Sequence, residues 1–315
     1  EVFGMGLPRS LTDLIVARFT HVPPTGMRVL ELASALGREF EFDLLQEAVK
    51  RREDPEAPGD EDELLDLLDE LIRQQILEEA PTRIRNRDTY RFAQGKFQEV
   101  IYDRLAPEAR RKVHAAAGRA LEHAYMKEVE AISGELAHHF TRAQEPARAV
   151  KYARAAGQRA QALYGNADAI RYYESALEMV AAQPTLVPLE DRVDMIGRLA
   201  DVYSHTGQNE EAVSRLQRAI DLLRGAGKPE LQAGLFLKLS RCKEDRGLFD
   251  EAIGHYEEAL RLLEGRGDHV FAAKAYLAMG WVQYLRRDLA RAAAYTQKAR
   301  EITARLERQE DPVAV

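Results

Sequence analysis

Few residues in this chain have the types and spacing that chemistry requires. His138 and His139 lie about one helical turn after Glu135. Only Glu135 and one of the two histidines can share a helix face, and a structural or catalytic zinc takes at least three protein ligands. The pair therefore reads as the polar edge of a helix. Cys242 is the single cysteine, so no intrachain disulfide forms, and its place among small apolar residues reads as a buried, inert thiol. A phosphate-binding loop needs G-x-x-x-x-G-K followed by Ser or Thr, so that backbone amides and a lysine meet the phosphates. Gly4-Met5-Gly6 lacks that lysine, and no other stretch fits. Nor is there a G-x-S-x-G elbow, an H-E-x-x-H or a C-x-x-C. We expect no enzyme, no catalytic residue, no metal and no cofactor held by this chain. What remains is suited to binding. Trp281 and Tyr284 are three apart on one helix face with Lys274 before them, and amphipathic aromatics are the usual anchors of interfaces.

The bulk composition narrows the partners. With 315 residues, 45 Lys and Arg against 52 Asp and Glu, the net charge is −7, which argues against binding nucleic acid through its phosphates. Hydrophobic residues make up 45%, enough to build a core. No run approaches eighteen consecutive apolar residues, so a membrane partner is not expected. There is no basic region followed by an apolar one at the start, and a cytoplasmic protein is expected. The first residue is Glu1, which suggests a piece cut from a longer protein.

The elements that position these residues announce themselves as a repeat. Small residues fall at Gly157, Ala200, Ser240 and Gly280, in steps of 43, 40 and 40. Ala169, Ala212, Ala252 and Ala292 take the same steps, as do Ala176, Ala219, Ala259 and Ala299. Ala252, Tyr256 and Ala259 stand at i, i+4 and i+7, one face of a helix. Turn signals separate the columns at Gly165-Asn166, Gly207-Gln208-Asn209, Arg246-Gly247 and Arg287-Asp288. Glycine-rich loops at 225–229 and 265–268 separate the units. Each unit is thus helix, tight turn, helix, loop. A weaker unit precedes them, with Ala137, Phe140, Ala149 and Ala156 keeping the same offsets.

The columns resemble tetratricopeptide repeats, most closely in the run Gly247 to Leu260, with a period longer than the usual one and Thr296 where an aromatic or leucine is expected. Stacked helix pairs of this kind curve, and their first helices line the concave face. Counted from the small-residue column, the concave positions are Asp194, Asp201, Ser204 and His205, then Arg241, Glu244 and Asp245, then Lys274, Trp281 and Tyr284. These are the candidate partner-binding residues. The lysine-and-asparagine clamp that some tetratricopeptide proteins use for a terminal carboxylate is not at these positions.

Residues 1–106 read differently. A capping start at Pro8–Asp13 leads into a helix with Leu11, Leu14, Ile15 and Phe19 on one face. Helices follow at 27–36 and 42–49. The stretch 53–70 holds ten carboxylates and no base, and its leucines place a fourth helix in its second half. Short strand-like runs at 76–80 and 89–93 flank a polar tip at 81–88, a hairpin or wing. From Leu7 to Glu122 the order of helices, the hairpin and the Arg110-Arg111…His114 ending resemble the winged-helix end of the nucleotide switch in STAND-type signal-transducing ATPases, a family that includes the maltose-regulon activator. The resemblance implies a missing ATPase core, which would carry the ATP or ADP, as an intramolecular partner. It also implies a nucleotide-sensing role for Gln94, which stands where many relatives have a histidine. Arg83, Arg85, Arg87, Arg91 and Lys96 cluster on the wing, yet residues 1–125 carry 18 basic and 24 acidic groups, and the helix that would enter a DNA groove is the acidic one. An ion-pair surface between domains is the better use of these bases.

The expected fold is all-α: a winged-helix-like domain with a small β-hairpin at 1–106, connecting helical hairpins at 107–185, and a tetratricopeptide-like right-handed superhelix at 186–315. The expected function is a sensor and protein-interaction module that binds a protein or peptide on its concave face and relays that event to the missing core. A small-molecule inducer sensor, a constitutive scaffold and a DNA-binding transcription-factor fragment are the alternatives.

Overall fold

The computed structural model describes residues 9–52, 55–80, 88–266 and 270–310. Gly4, Gly6, Pro8, the wing-tip arginines Arg83, Arg85 and Arg87, and Gly267-Asp268 lie outside them. The described residues are helical apart from one three-stranded sheet, and they divide into two units, 1–156 and 157–315.

The first unit opens with α1 (Arg9–Arg18), a 3-10 turn (Phe19–His21) and α2 (Pro24–Leu36). Then come β1 (Glu39–Glu41), α3 (Phe42–Arg52), α4 (Glu61–Arg73), β2 (Leu77–Glu79) and β3 (Thr89–Phe92). Asp60 caps α4 by accepting from the Glu63 amide at 2.9 Å, and three acidic residues in the first turn suit the positive end of the helix dipole. The expected hairpin is present as β2 and β3, antiparallel, with Leu77 opposite Phe92. The sheet order β1-β3-β2 adds a strand that the sequence reading lacked, Glu39 to Glu41 pairing with Arg91 to Thr89. Val29, Leu30, Leu45, Leu68, Phe92 and Phe97 are buried together as its apolar centre. Arg52, nearly buried, is matched by Glu31 at 2.6 Å and by the Arg28 carbonyl at 2.9 Å, so its charge is compensated. Of the wing bases that are described, Arg91 pairs with Glu78 and Lys96 with Glu99, inside this unit.

Helices α5 (Gly95–Arg104), α6 (Pro107–Ala124) and α7 (Ser133–Arg142) complete the packing, and α8 begins at Pro146. Here the structure corrects one expectation. His139 is not on a polar edge but buried, as is His114 of α6. Their Nδ1 atoms are 3.1 Å apart, and His114 Nε2 lies 2.7 Å from the Tyr102 hydroxyl. Two facing ring nitrogens can share only one proton, so one histidine donates and the other accepts. Both are held neutral. Burial first, then His138 and the guanidiniums of Arg142 and Arg110, lowers His114 to about 4. Burial, then His114 and His138, lowers His139 to about 3. Among the described residues no group of three or more His, Cys, Asp or Glu is arranged to hold a metal.

The second unit is built from helical hairpins. Its pairs are α10 (Leu189–His205) with α11 (Asn209–Leu223), α12 (Pro229–Glu244) with α13 (Phe249–Leu263), and α14 (Val270–Leu285) with α15 (Leu289–Glu310). Ahead of them, the end of α8 at residues 157–162 meets α9 (Asn166–Ala182). The tight turns put Gly207 and Gly247 at φ +78° and +72°, where only glycine avoids strain. The small-residue columns are buried at the helix crossings. A Cβ added to Gly157 would stand 2.8 Å from the Tyr173 ring, and one on Gly280 would stand 2.8 Å from Thr296 Oγ1 and 3.3 Å from the Ala292 carbonyl. No helix among the described residues is long and apolar enough to cross a membrane.

Two predictions follow from this packing. Gly157→Ala forces the rigid Tyr173 ring to move and should cost about 1–3 kcal/mol. Gly254→Ala, where a Cβ meets nothing within 4 Å on α13, should stabilise by about 0.5–1 kcal/mol through the unfolded chain. Thermal melts of the two variants decide, and equal melting temperatures would contradict the packing account. The histidines give a pH dependence. Unfolded histidine titrates near 6.5 and the folded pair far below it, so the unfolded state binds more protons throughout that interval. The first unit should keep its full stability above about pH 6.5 and lose it steadily as the pH falls toward 4. Hydrogen exchange at α6 and α7 amides, referenced to α13, should show protection falling across that window; a flat profile would contradict the neutral pair.

Candidate functional site

Five of the sequence-predicted binding residues line one groove. Arg241, Glu244 and Asp245 on α12 and Lys274 and Trp281 on α14 come together along one open groove of about 730 Å³. Its floor and walls include Leu237, Lys238, Phe271, Leu277 and Ala278, which the sequence reading did not single out. Tyr284 stands beside the groove with its ring stacked on Trp281, centroids 5.6 Å apart. Trp281 and Tyr284 are 55% and 56% exposed, and Leu277 is 57% exposed. These three occur at i, i+4 and i+7, and so form one apolar ridge along α14.

The earlier candidates are engaged elsewhere. Asp194 pairs with Arg198 of its own helix at 3.0 Å. Asp201 takes the ammonium of Lys238, which ties α10 to α12. Ser204 donates to Asn209 Oδ1 at 3.3 Å, and His205 is exposed at the end of α10. Gln94 is the exposed N-cap residue of α5, and its side chain bonds no amide of that helix. Cys242 is buried, and burial raises its thiol above the ordinary range.

Inside the groove the charges are of two kinds. Glu244 accepts from the Tyr256 hydroxyl at 2.6 Å; burial pushes its carboxyl up and burial likewise raises Tyr256. That contact is structural, because Tyr173 makes the equivalent bond to Gln161 at 3.1 Å, twelve residues apart in both units. In the last pair the same columns hold Tyr284 and Thr296, and Thr296 is too short to reach across. Tyr284 is left without that partner and turns onto Trp281. Arg241 and Lys274 make no ion pair among the described residues. Lys274 lies 5.8 Å from the Phe271 ring centre. The groove thus offers two available cations, an exposed aromatic pair and an apolar ridge, which together can hold an extended or helical segment of another protein. Tyr203 of α10 is buried, with its hydroxyl on Glu174 at 2.8 Å.

Residues 191–263 and 231–305 each match the family model described as tetratricopeptide repeat. No curated protein matches the chain in sequence. Among solved structures, the chain is similar to BtubC (BKLC) from P. vanneervenii, with 17% identity, a TM-score of 0.49, 62% of this chain and 80% of that one. It is also similar to a signal transduction ATPase with numerous domains carrying a tetratricopeptide repeat sensor, from Pyrococcus horikoshii. There the identity is 13%, the TM-score 0.46, and the match spans 97% of this chain and 54% of that one. The Rap conjugation gene regulator of plasmid pLS20, solved with a Phr peptide, matches 52% of this chain and 44% of its own at 18% identity and TM-score 0.44. Residues 191–305 of this chain are thus similar to tetratricopeptide repeats.

Proposed function

We propose that this chain is the sensor and interaction region of a larger signal-transduction protein, and that its repeats hold a protein or peptide partner in the groove between α12 and α14. The observation that carries the reading is the Leu277–Trp281–Tyr284 ridge, more than half exposed beside Arg241 and Lys274. Large aromatics left in water at a groove are what an interface buries. In the same proposal residues 1–106 form a winged-helix relay to an NTPase domain, and residues 107–185 connect it to the array at 186–315. The order α2-β1-α3-α4-β2-β3 with β3 central supports the winged-helix reading. Gln94 at the start of α5 would be its nucleotide-facing residue. A cytoplasmic location accords with a signalling role.

The test is capture from a lysate of the source cells by the chain and by a Trp281→Ala/Tyr284→Ala double variant, with helicity checked by circular dichroism. Both side chains are exposed, so the variant should fold. A partner held by the first should be lost by the second, because truncating aromatic anchors costs about 2 kcal/mol or more, near thirtyfold in affinity. A partner retained equally by both would refute the groove.

A further inference from the structure

The three repeat pairs can be laid on one another, and this shows what each pair's surface is built to receive. Between α12 and α13, the buried residues Ala233, Ala259 and Leu263 form a slot that α14 fills with Phe271 and Ala272. Gly234 makes the entry possible, since a Cβ there would stand 3.3 Å from the Phe271 ring. One period later the same positions are Ala273, Lys274, Leu277, Ala299 and Thr303. They line a groove of about 510 Å³ between α14 and α15. Nothing among the described residues fills it.

Two differences between the filled slot and the open one define the occupant. Consecutive pairs are joined by ion pairs that recur with the period: Lys228 with Glu190 and Arg266 with Glu230, and Arg246 with Glu210 and Arg286 with Asp250. The next members of the two acidic columns are Val270 and Ala290. A further unit of the same kind would bring two bases to positions with no acid. The second difference is charge at the rim. Lys274 replaces Gly234, and Lys274 and Arg300 make no ion pair among the described residues, against one carboxylate, Glu307. A second copy docked symmetrically would set these cations against themselves.

We propose that the α14–α15 slot is a second binding surface, which adjoins the α12–α14 groove and shares Lys274 and Leu277 with it, and that it receives an amphipathic helix of a partner protein with an aromatic anchor and flanking acidic residues. The anchor takes the place that Phe271 takes one repeat earlier, and the acids meet Lys274 and Arg300. This is helix-in-groove recognition, read by residues one turn apart.

The probe is a stapled sixteen-residue helical peptide, the length of α14. It keeps the residues corresponding to Phe271, Ala272, Ala275 and Met279, carries glutamate at the two exposed positions nearest the anchor, and is otherwise alanine and glutamine. Titration calorimetry with the whole chain should show saturable binding, weakened about tenfold or more when the anchor becomes alanine or the glutamates become lysine. Thr303→Trp, at an exposed position on the slot, should block it to the same degree, while Trp281→Ala/Tyr284→Ala should leave it within about threefold. Absence of binding by the wild-type chain, or equal binding by Thr303→Trp, overturns the proposal. So does a dimer in sedimentation velocity that Thr303→Trp dissolves, since the slot would then belong to a second copy.

Discussion

The close crossing of paired helices at one small residue is the constraint from which the second unit follows. At Gly157 there is no room for a methyl group beside Tyr173, and at Gly280 none beside Thr296 and the Ala292 carbonyl. Axes this close must be matched by alanine on the second helix, and the two alanine columns are buried accordingly. The bulky residues are then displaced to the faces between pairs, where Tyr256, Ala252, Met279 and Ala275 form one cluster. Stacking one hairpin on the next is therefore the only way these faces leave water, and a repeat array results. The groove and the slot follow from the same geometry: the groove lies between one pair and the next, and the slot between the two helices of one pair.

Ion pairs set the register of that stack more than its strength. Lys228–Glu190, Arg266–Glu230 and Arg286–Asp250 are largely exposed, and such pairs contribute at most about 1 kcal/mol each. Apolar burial would tolerate small slips of one hairpin along another, whereas two charged columns of fixed spacing penalise them. Lys238 on Asp201 does the same between α10 and α12, and it removes Asp201 from the set of residues free to bind. The acidic columns do not continue on the third pair, where Val270 and Ala290 take their places.

Much of this was legible in the sequence, for physical reasons that particular residues show. Small-residue spacing is a local and repeated signal, so the helix pairs could be read from alanines and glycines alone, and Trp281 and Tyr284 could be placed on one face. β1 could not be read: three residues, Glu39 to Glu41, are too few for alternation, and the strand exists because β3 offers it a partner. The histidine pair was invisible because His114 and His139 are 25 residues apart and meet only through the packing of α6 on α7. The pairing of Asp201 with Lys238 has a signal in the sequence that could have been used. Opposite charges recur slightly less than one period apart, 37 residues for Asp201 and Lys238, which marks them as contacts between repeats.

The α14–α15 pair departs from the pairs before it. Several columns change there, Tyr256 to Thr296, Gly234 to Lys274, Leu263 to Thr303 and the acids Glu230 and Asp250 to Val270 and Ala290, while the alanine columns continue at Ala292 and Ala299. Where Thr296 takes the place of tyrosine, Tyr284 is left without the bond that Glu244 makes to Tyr256. A surface degraded at random would lose apolar residues along with its contacts, since exposed leucine and tryptophan offer a folded chain nothing in water. Here α14 keeps Leu277 where α12 has Leu237, and carries Trp281, Tyr284 and Lys274 where α12 has Arg241, Glu244 and Gly234. Exposed apolar area added where the column loses an internal bond is what supports reading this face of α14 as the proposed partner surface.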